Sequence, residues 1–239
     1  MLNTEFANAI WGILTPLDLI ALALFLASAI LYRVITGPRG LKRLSLNGAV
    51  QAQRVRWMLN MIRRENRAID AILLGSLSQG NAFFASTTAI AIGGLAALIG
   101  SGDKAQSILE RLPIVARSNS VLWEVKLMLI MAIFIFAFFK FAWAFRLSHY
   151  ASIMMGAMPL YTNETTPACE AHAERTAKIA GLSAEHSNSG LRAFYHAIAA
   201  MAWFIHPIAF MLATVWITTI LIRRDFFSRS RRLILEMSE

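Results

Sequence analysis

Residues 121–145 read VLWEVKLMLIMAIFIFAFFKFAWAF, and this stretch settles what kind of protein the chain is. A helix of that length rises about 38 Å, enough to cross the roughly 30 Å of hydrocarbon in a bilayer. Its charges, Glu124, Lys126 and Lys140, stand near the two ends, and residues 127–139 between them are wholly apolar. Working outward, residues 17–32, 71–100 and 193–222 form three more apolar stretches, the first of marginal length. The expected fold is therefore all-α: a polytopic transmembrane helix bundle of four spans, one integral membrane domain over residues 1–239.

Hydrophobic residues make up 57% of the chain, and the mean hydropathy is +0.54, more than a soluble chain of this size uses to fill a core. The single cysteine, Cys169, excludes an intrachain disulfide and any paired-cysteine zinc site. Ala27, Ser28 and Ala29 have the small-x-small look of a signal-peptide cleavage site. Glu5 and the lack of Lys or Arg before the first apolar stretch point instead to an uncleaved anchor with its N-terminus outside.

Basic residues crowd the segment from Arg33 to Arg67, opposed by Glu65 alone, and the positive-inside rule places that loop in the cytoplasm. Counting onward, the loop at 100–120 lies outside and that at 147–191 inside, so four full spans leave the C-terminal tail outside. Arg223, Arg224, Arg229, Arg231 and Arg232 in the tail favour the inside. A break at His206-Pro207 supplies the alternative, two half-depth helices that return the tail to the cytoplasm. Four full spans is the reading adopted, since membrane helices tolerate proline.

Between the spans the pattern is helical. Val50, Trp57, Met58, Met61 and Ile62 fall on one side of a helix and Arg56, Asn60, Arg63 and Arg67 on the other. No breaker intervenes, so a basic juxtamembrane helix over 47–69 is expected to run into the second span as one helix to about residue 98. A second cytoplasmic helix is expected over 167–181, started by Thr166 and Pro167 and stopped by Gly181. Ser187, Asn188, Ser189 and Gly190 then break the chain before the fourth span. Trp57 and Trp123 are expected in interfacial aromatic belts. No internal repeat or heptad is visible, which argues against repeat transporters and zippers.

Separated motifs in one order carry a resemblance over residues 63–228. They are Arg64-Glu65-Asn66 with Asp70, Phe83-Phe84-Ala85-Ser86-Thr87, Trp123-Glu124-Val125-Lys126, Phe138-Phe139-Lys140-Phe141, Asn188 with Gly190-Leu191-Arg192, and Arg223-Arg224-Asp225-Phe226. In these the chain resembles the bacterial and plant membrane-protein family known as domain of unknown function 599. The resemblance implies a multi-spanning membrane protein, with a bacterial inner membrane as the expected location. It brings no established activity and no catalytic or binding residue.

Polar groups at membrane depth are costly enough to be candidates for function. On the second span Gln79 and Ser86 share one side, and Asp70, Asn81 and Thr88 the other. Such stripes fit a water-lined pathway or interhelical hydrogen bonds of about 1 kcal/mol each. Ala85, Ala89, Gly93 and Ala97 recur every four residues, a ridge that lets another helix approach. Lys126 and Lys140 are about 21 Å apart along the third span, so each can snorkel to its own interface. The alternative is that Glu124 and Lys140 gate a polar route sealed by aromatic residues. Arg192 is placed to pair with Glu185. His196 and His206 sit on the fourth stretch, and Cys169 with His172 makes a CxxH fragment. Neither supplies the three or four converging ligands of a metal site, so no metal and no cofactor are expected. Hydrolase, kinase and nucleotide-binding signatures are absent, which argues against an enzyme.

Clustered arginine beside a bilayer gains roughly 1 kcal/mol per charge from anionic lipid, making Arg56, Arg63 and Arg67 headgroup candidates. The net charge of +9 follows the topology and calls for no nucleic acid. The functional expectation is a non-enzymatic scaffold or accessory subunit that oligomerises through the small-residue ridge or binds a membrane partner. The alternative is a small ion or solute channel or transporter subunit lined by Gln79, Asn81, Thr88, Glu124 and Lys140.

Overall fold

A computed structural model describes residues 14–37, 41, 44–101, 103–109, 111, 119–159 and 166–236. Its helices are α1 (Pro16–Thr36), α2 (Leu46–Met61), α3 (Ala68–Gly100), α4 (Asp103–Leu109), α5 (Ser120–Gly156), α6 (Pro167–Met201), α7 (Pro207–Phe227) and α8 (Arg229–Glu236), with a 3-10 turn at Ala202–Phe204. No strand occurs among the described residues. α1, α3, α5 and the run Pro207–Glu236 are each long and apolar enough to cross a membrane, so the all-α, four-span expectation is met. α6 is also long, at 35 residues, yet its first two-thirds are too polar to have been read as a span.

The chain divides into two compact units. One gathers the described parts of residues 1–40, 89–135 and 192–222; the other gathers those of 41–88, 136–191 and 223–239. In the first, Phe25 of α1, Ile130 and Phe134 of α5, Trp203 and Phe210 form an aromatic-rich core. α1 begins with a capping box in which the Thr15 hydroxyl accepts from the Asp18 N–H and the Asp18 carboxylate accepts from the Thr15 N–H, with Pro16 at the first helical position. In the second unit, Met58, Met61 and Leu74 pack on the small residues Ala151, Ala173 and Ala177, which lets helices come close.

The helix expected to run unbroken from 47 to 98 is two helices. α2 ends at Met61 and α3 starts at Ala68. No glycine or proline makes the break. Turn bonds from Arg63 N–H to Asn60 and from Arg64 N–H to Met61 close α2, and the Asn66 side chain accepts from Ala68 N–H to open α3. Asparagine competes with the helix for its own backbone in this way.

The helix expected over 167–181 instead continues to Met201, and neither Gly181 nor residues 187–190 stop it. Both glycines are there for close approach. A methyl group at Gly181 would overlap the Gln51 side-chain amide, and one at Gly190 would stand 2.8 Å from the Phe141 ring. Glycine inside a helix marks packing here, not termination.

The fourth stretch, 193–222, is divided between the end of α6 and α7. Ile205 and His206 N–H both turn back to the Ala202 carbonyl, the His206 ring nitrogen Nδ1 accepts from Ile208 N–H, and Pro207 opens α7. On the far side of this break the chain comes back to α2. Before it, Gln51 of α2 donates to the Ala177 carbonyl and Asn188 donates to Asn47. After it, Gln53 of α2 donates to the Ile234 carbonyl and Arg231 to the Leu44 carbonyl. The tail thus lies against the basic helix α2.

Candidate functional site

The most concentrated polar site lies within the second unit. Asn81 of α3 donates to the hydroxyls of Ser148 on α5 and Ser183 on α6, both at 3.4 Å, and the two hydroxyls are 2.8 Å apart. Both serines also donate to the Ala144 carbonyl, at 3.1 and 2.7 Å. All three side chains are buried. Beside them is a cavity of ≈ 190 Å³ whose wall includes Arg54, Asn81, Ser148, Ser183, Ser187 and Asn188. Arg54 comes from α2 and gives one N–H to Gln51 at 3.3 Å. Burial pushes its guanidinium pKa below the ordinary value, and the field of Glu185 pushes it back up.

Asp70 anchors the junction between α2 and α3. It is 0% exposed, and its Oδ1 accepts from Trp57 Nε1 and from the Arg64 guanidinium, each at 2.7 Å. Trp57 is therefore tied inward instead of standing in an interfacial belt. Arg67 donates to the carbonyls of Met158 and Pro159, at 3.4 and 2.9 Å, in the turn that follows α5. Arg56 and Arg63 are exposed.

In the first unit, Trp203 Nε1 donates to Asp18 at 2.7 Å with both side chains buried. Lys126, 3% exposed, lies 5.5 Å from the Trp203 ring and 5.9 Å from that of Phe204, and Asp18 acts on it electrostatically. Lys126 therefore does not snorkel; it is held over aromatic faces with a carboxylate nearby. Trp123 is likewise buried, edge-on to Phe204 at 4.6 Å. The guanidinium of Arg192, expected against Glu185, lies over the Tyr32 ring at 5.4 Å. His196 is buried, its Nδ1 against the Arg192 carbonyl at 2.8 Å and its ring edge-on to Phe25.

Apart from Asn81, the residues suggested for a polar route stand in separate local settings within their units. Gln79 and Glu124 are exposed. Thr88 is buried but donates to the Phe84 and Ala85 carbonyls of its own helix. Lys140 stands over the Phe136 ring at 5.2 Å. His206 is exposed and caps α7. Of the ridge, Ala85 is half-buried while Ala89, Gly93 and Ala97 are exposed. A methyl group at Gly93 or Gly94 would meet no atom of the described chain within 4 Å. No metal-binding cluster of three His, Cys, Asp or Glu occurs among the described residues; His172 pairs with the Met154 carbonyl at 2.7 Å.

Sequence reasoning found Asn81 and Lys126 but missed Asp18, Arg54, Ser148, Ser183 and Trp203. The Thr15-Pro16 start and Asp18 three residues on were a legible helix cap. The two serines carried no signal, because their meeting depends on α6 continuing past Gly181.

Long apolar helices that enclose buried polar and charged clusters define a multi-pass helical membrane protein. The chain belongs to the family described as "Protein of unknown function, DUF599", which matches it over residues 20–230. No curated protein and no solved structure matches it.

Proposed function

We propose that this protein is a non-enzymatic membrane scaffold or accessory subunit that associates, with copies of itself or with a membrane partner, through the outer face of α3. The observation that carries this reading is the pair Gly93 and Gly94, exposed and with open space where a side chain would be. Gly181 and Gly190 have a packing reason inside the chain; Gly93 and Gly94 have none among the described residues. Glycine in a helix costs roughly 0.5–1 kcal/mol against alanine in water. In a membrane, small residues at four-residue spacing admit a second helix backbone, and Ala89, Gly93 and Ala97 supply that spacing. Arg56 and Arg63, exposed near the start of the spanning part of α3, are the residues for anionic lipid; Arg67, taken up at the end of α5, is not. With α2 and the tail together, all the Arg-rich segments fit on the cytoplasmic face of a bacterial inner membrane.

A channel or transporter subunit has less support, because Gln79 and Glu124 are exposed, Thr88 bonds its own helix and Lys140 lies over the Phe136 ring. The test is affinity purification of the tagged chain from its native membrane in mild detergent, with mass spectrometry of everything retained. A stoichiometric partner or a defined homo-oligomer is the expected result. A lone chain with nothing retained, coupled with ion flux in reconstituted vesicles, would replace this reading with the channel.

A further inference from the structure

The cavity in the second unit has no part in association through α3. We propose that it binds a phosphate group, held by Arg54 together with Asn81, Ser148, Ser183, Ser187 and Asn188. The wall brings one guanidinium from α2 and hydroxyl or amide groups from α3, α5 and α6 to one partly open space of ≈ 190 Å³. No carboxylate contributes to it among the described residues; Glu185 acts on Arg54 without forming part of the wall.

Arginine's five N–H donors form a rigid fork that satisfies a carboxylate alone, side by side. A carboxylate spends its two oxygens on that fork and has none to offer the serine and asparagine groups elsewhere in the wall. A tetrahedral phosphate directs oxygens several ways, so it can take the fork on one side and hydroxyl or amide hydrogens on another. The hydroxyls of Ser148 and Ser183 now point at each other and at the Ala144 carbonyl, and rotation about one bond redirects either to a ligand. A water occupies about 30 Å³ of liquid, so the cavity exceeds the needs of one or two waters and leaves room for a substituent on the phosphate. Two sources share this chemistry: the headgroup of a phospholipid and a small soluble phosphate.

The test uses the full chain in a neutral detergent and follows its thermal unfolding. One arm titrates sodium phosphate at ionic strength held constant with chloride. The other adds phosphatidylglycerol, compared with a phosphate-free galactolipid. A saturable rise of roughly 3 °C or more is expected at tenfold over the dissociation constant. A rise with inorganic phosphate identifies the soluble source, and a rise with phosphatidylglycerol alone identifies the headgroup. In either case Arg54→Gln abolishes it, Ala184→Leu, which fills the cavity wall, reduces it at least tenfold in apparent affinity, and Lys178→Gln on the exposed face of α6 keeps it. Should Arg54→Gln not fold, Ala184→Leu and Lys178→Gln still decide. No rise in either arm overturns the proposal, as does a rise that survives Ala184→Leu or is lost equally in Lys178→Gln.

Discussion

Asp70 is the single side chain on which the α2–α3 junction depends. It receives the indole N–H of Trp57 and the guanidinium of Arg64 on one oxygen, and in a buried setting each hydrogen bond to a charged group contributes about 1.5–3 kcal/mol. Asp70→Leu leaves the Trp57 N–H buried without an acceptor, so the unfolding midpoint in denaturant should fall by the equivalent of roughly 2–3 kcal/mol. Arg64→Gln, at a half-exposed position, should cost well under half as much, because water replaces the lost partner. The glycines divide in the same way. Gly190 faces the ring of Phe141, which is fully buried and stacked on Phe84 at 5.2 Å. That ring cannot yield, so Gly190→Ala should destabilise by about 1–3 kcal/mol. Gly181 faces the flexible end of Gln51; Gly181→Ala should cost about 1 kcal/mol, the hydrogen bond from Gln51 to the Ala177 carbonyl. From sequence alone both glycines looked like helix stops, since a residue's neighbours across the fold leave no trace in its local context.

Among the elements, the apolar helices were legible and α6 was not. α1, α3 and α5 declare themselves by length and hydropathy, because lipid is their partner and lipid demands apolar side chains. Residues 180–190 of α6 include Ser183, Glu185, His186, Ser187, Asn188 and Ser189, yet they are all buried or half-buried except Leu182. A helix surrounded by other helices faces protein on most sides and is free of the lipid rule, so hydropathy passes over it. The same gap hid the break at Ala202–Phe204, and with it the contact of the tail with α2. The consequence is testable by labelling single cysteines in a Cys169→Ser background with a membrane-impermeant reagent. Cysteines at Ser45 and Ser230 should label from the same side and one at Ser101, beyond the far end of α3, from the other. Labelling of Ser45 and Ser230 from opposite sides would place the tail across the membrane from α2.

For the molecule as a whole, the amino-acid pattern carried the class of fold and the membrane setting, and three of the candidate polar residues landed in ordinary local roles. Thr88 bonds its own helix, His206 caps one, and Arg67 holds the turn after one. On the outer face of α3, Gly93 and Gly94 meet no atom of the described residues within 4 Å, as is also true of Gly75 and Gly80 on the same helix. If that face meets a second helix, a bulky side chain there should break association and leave each chain folded. The deciding measurement is the mass of the detergent-solubilised protein, wild type against Gly93→Ile, with an unfolding midpoint for each. The expected result is a wild-type homo-oligomer or stoichiometric complex, a Gly93→Ile protein at the mass of one chain, and matching midpoints once both are single chains. A wild-type protein that is already a lone chain, or an assembly that Gly93→Ile leaves intact, would contradict the account.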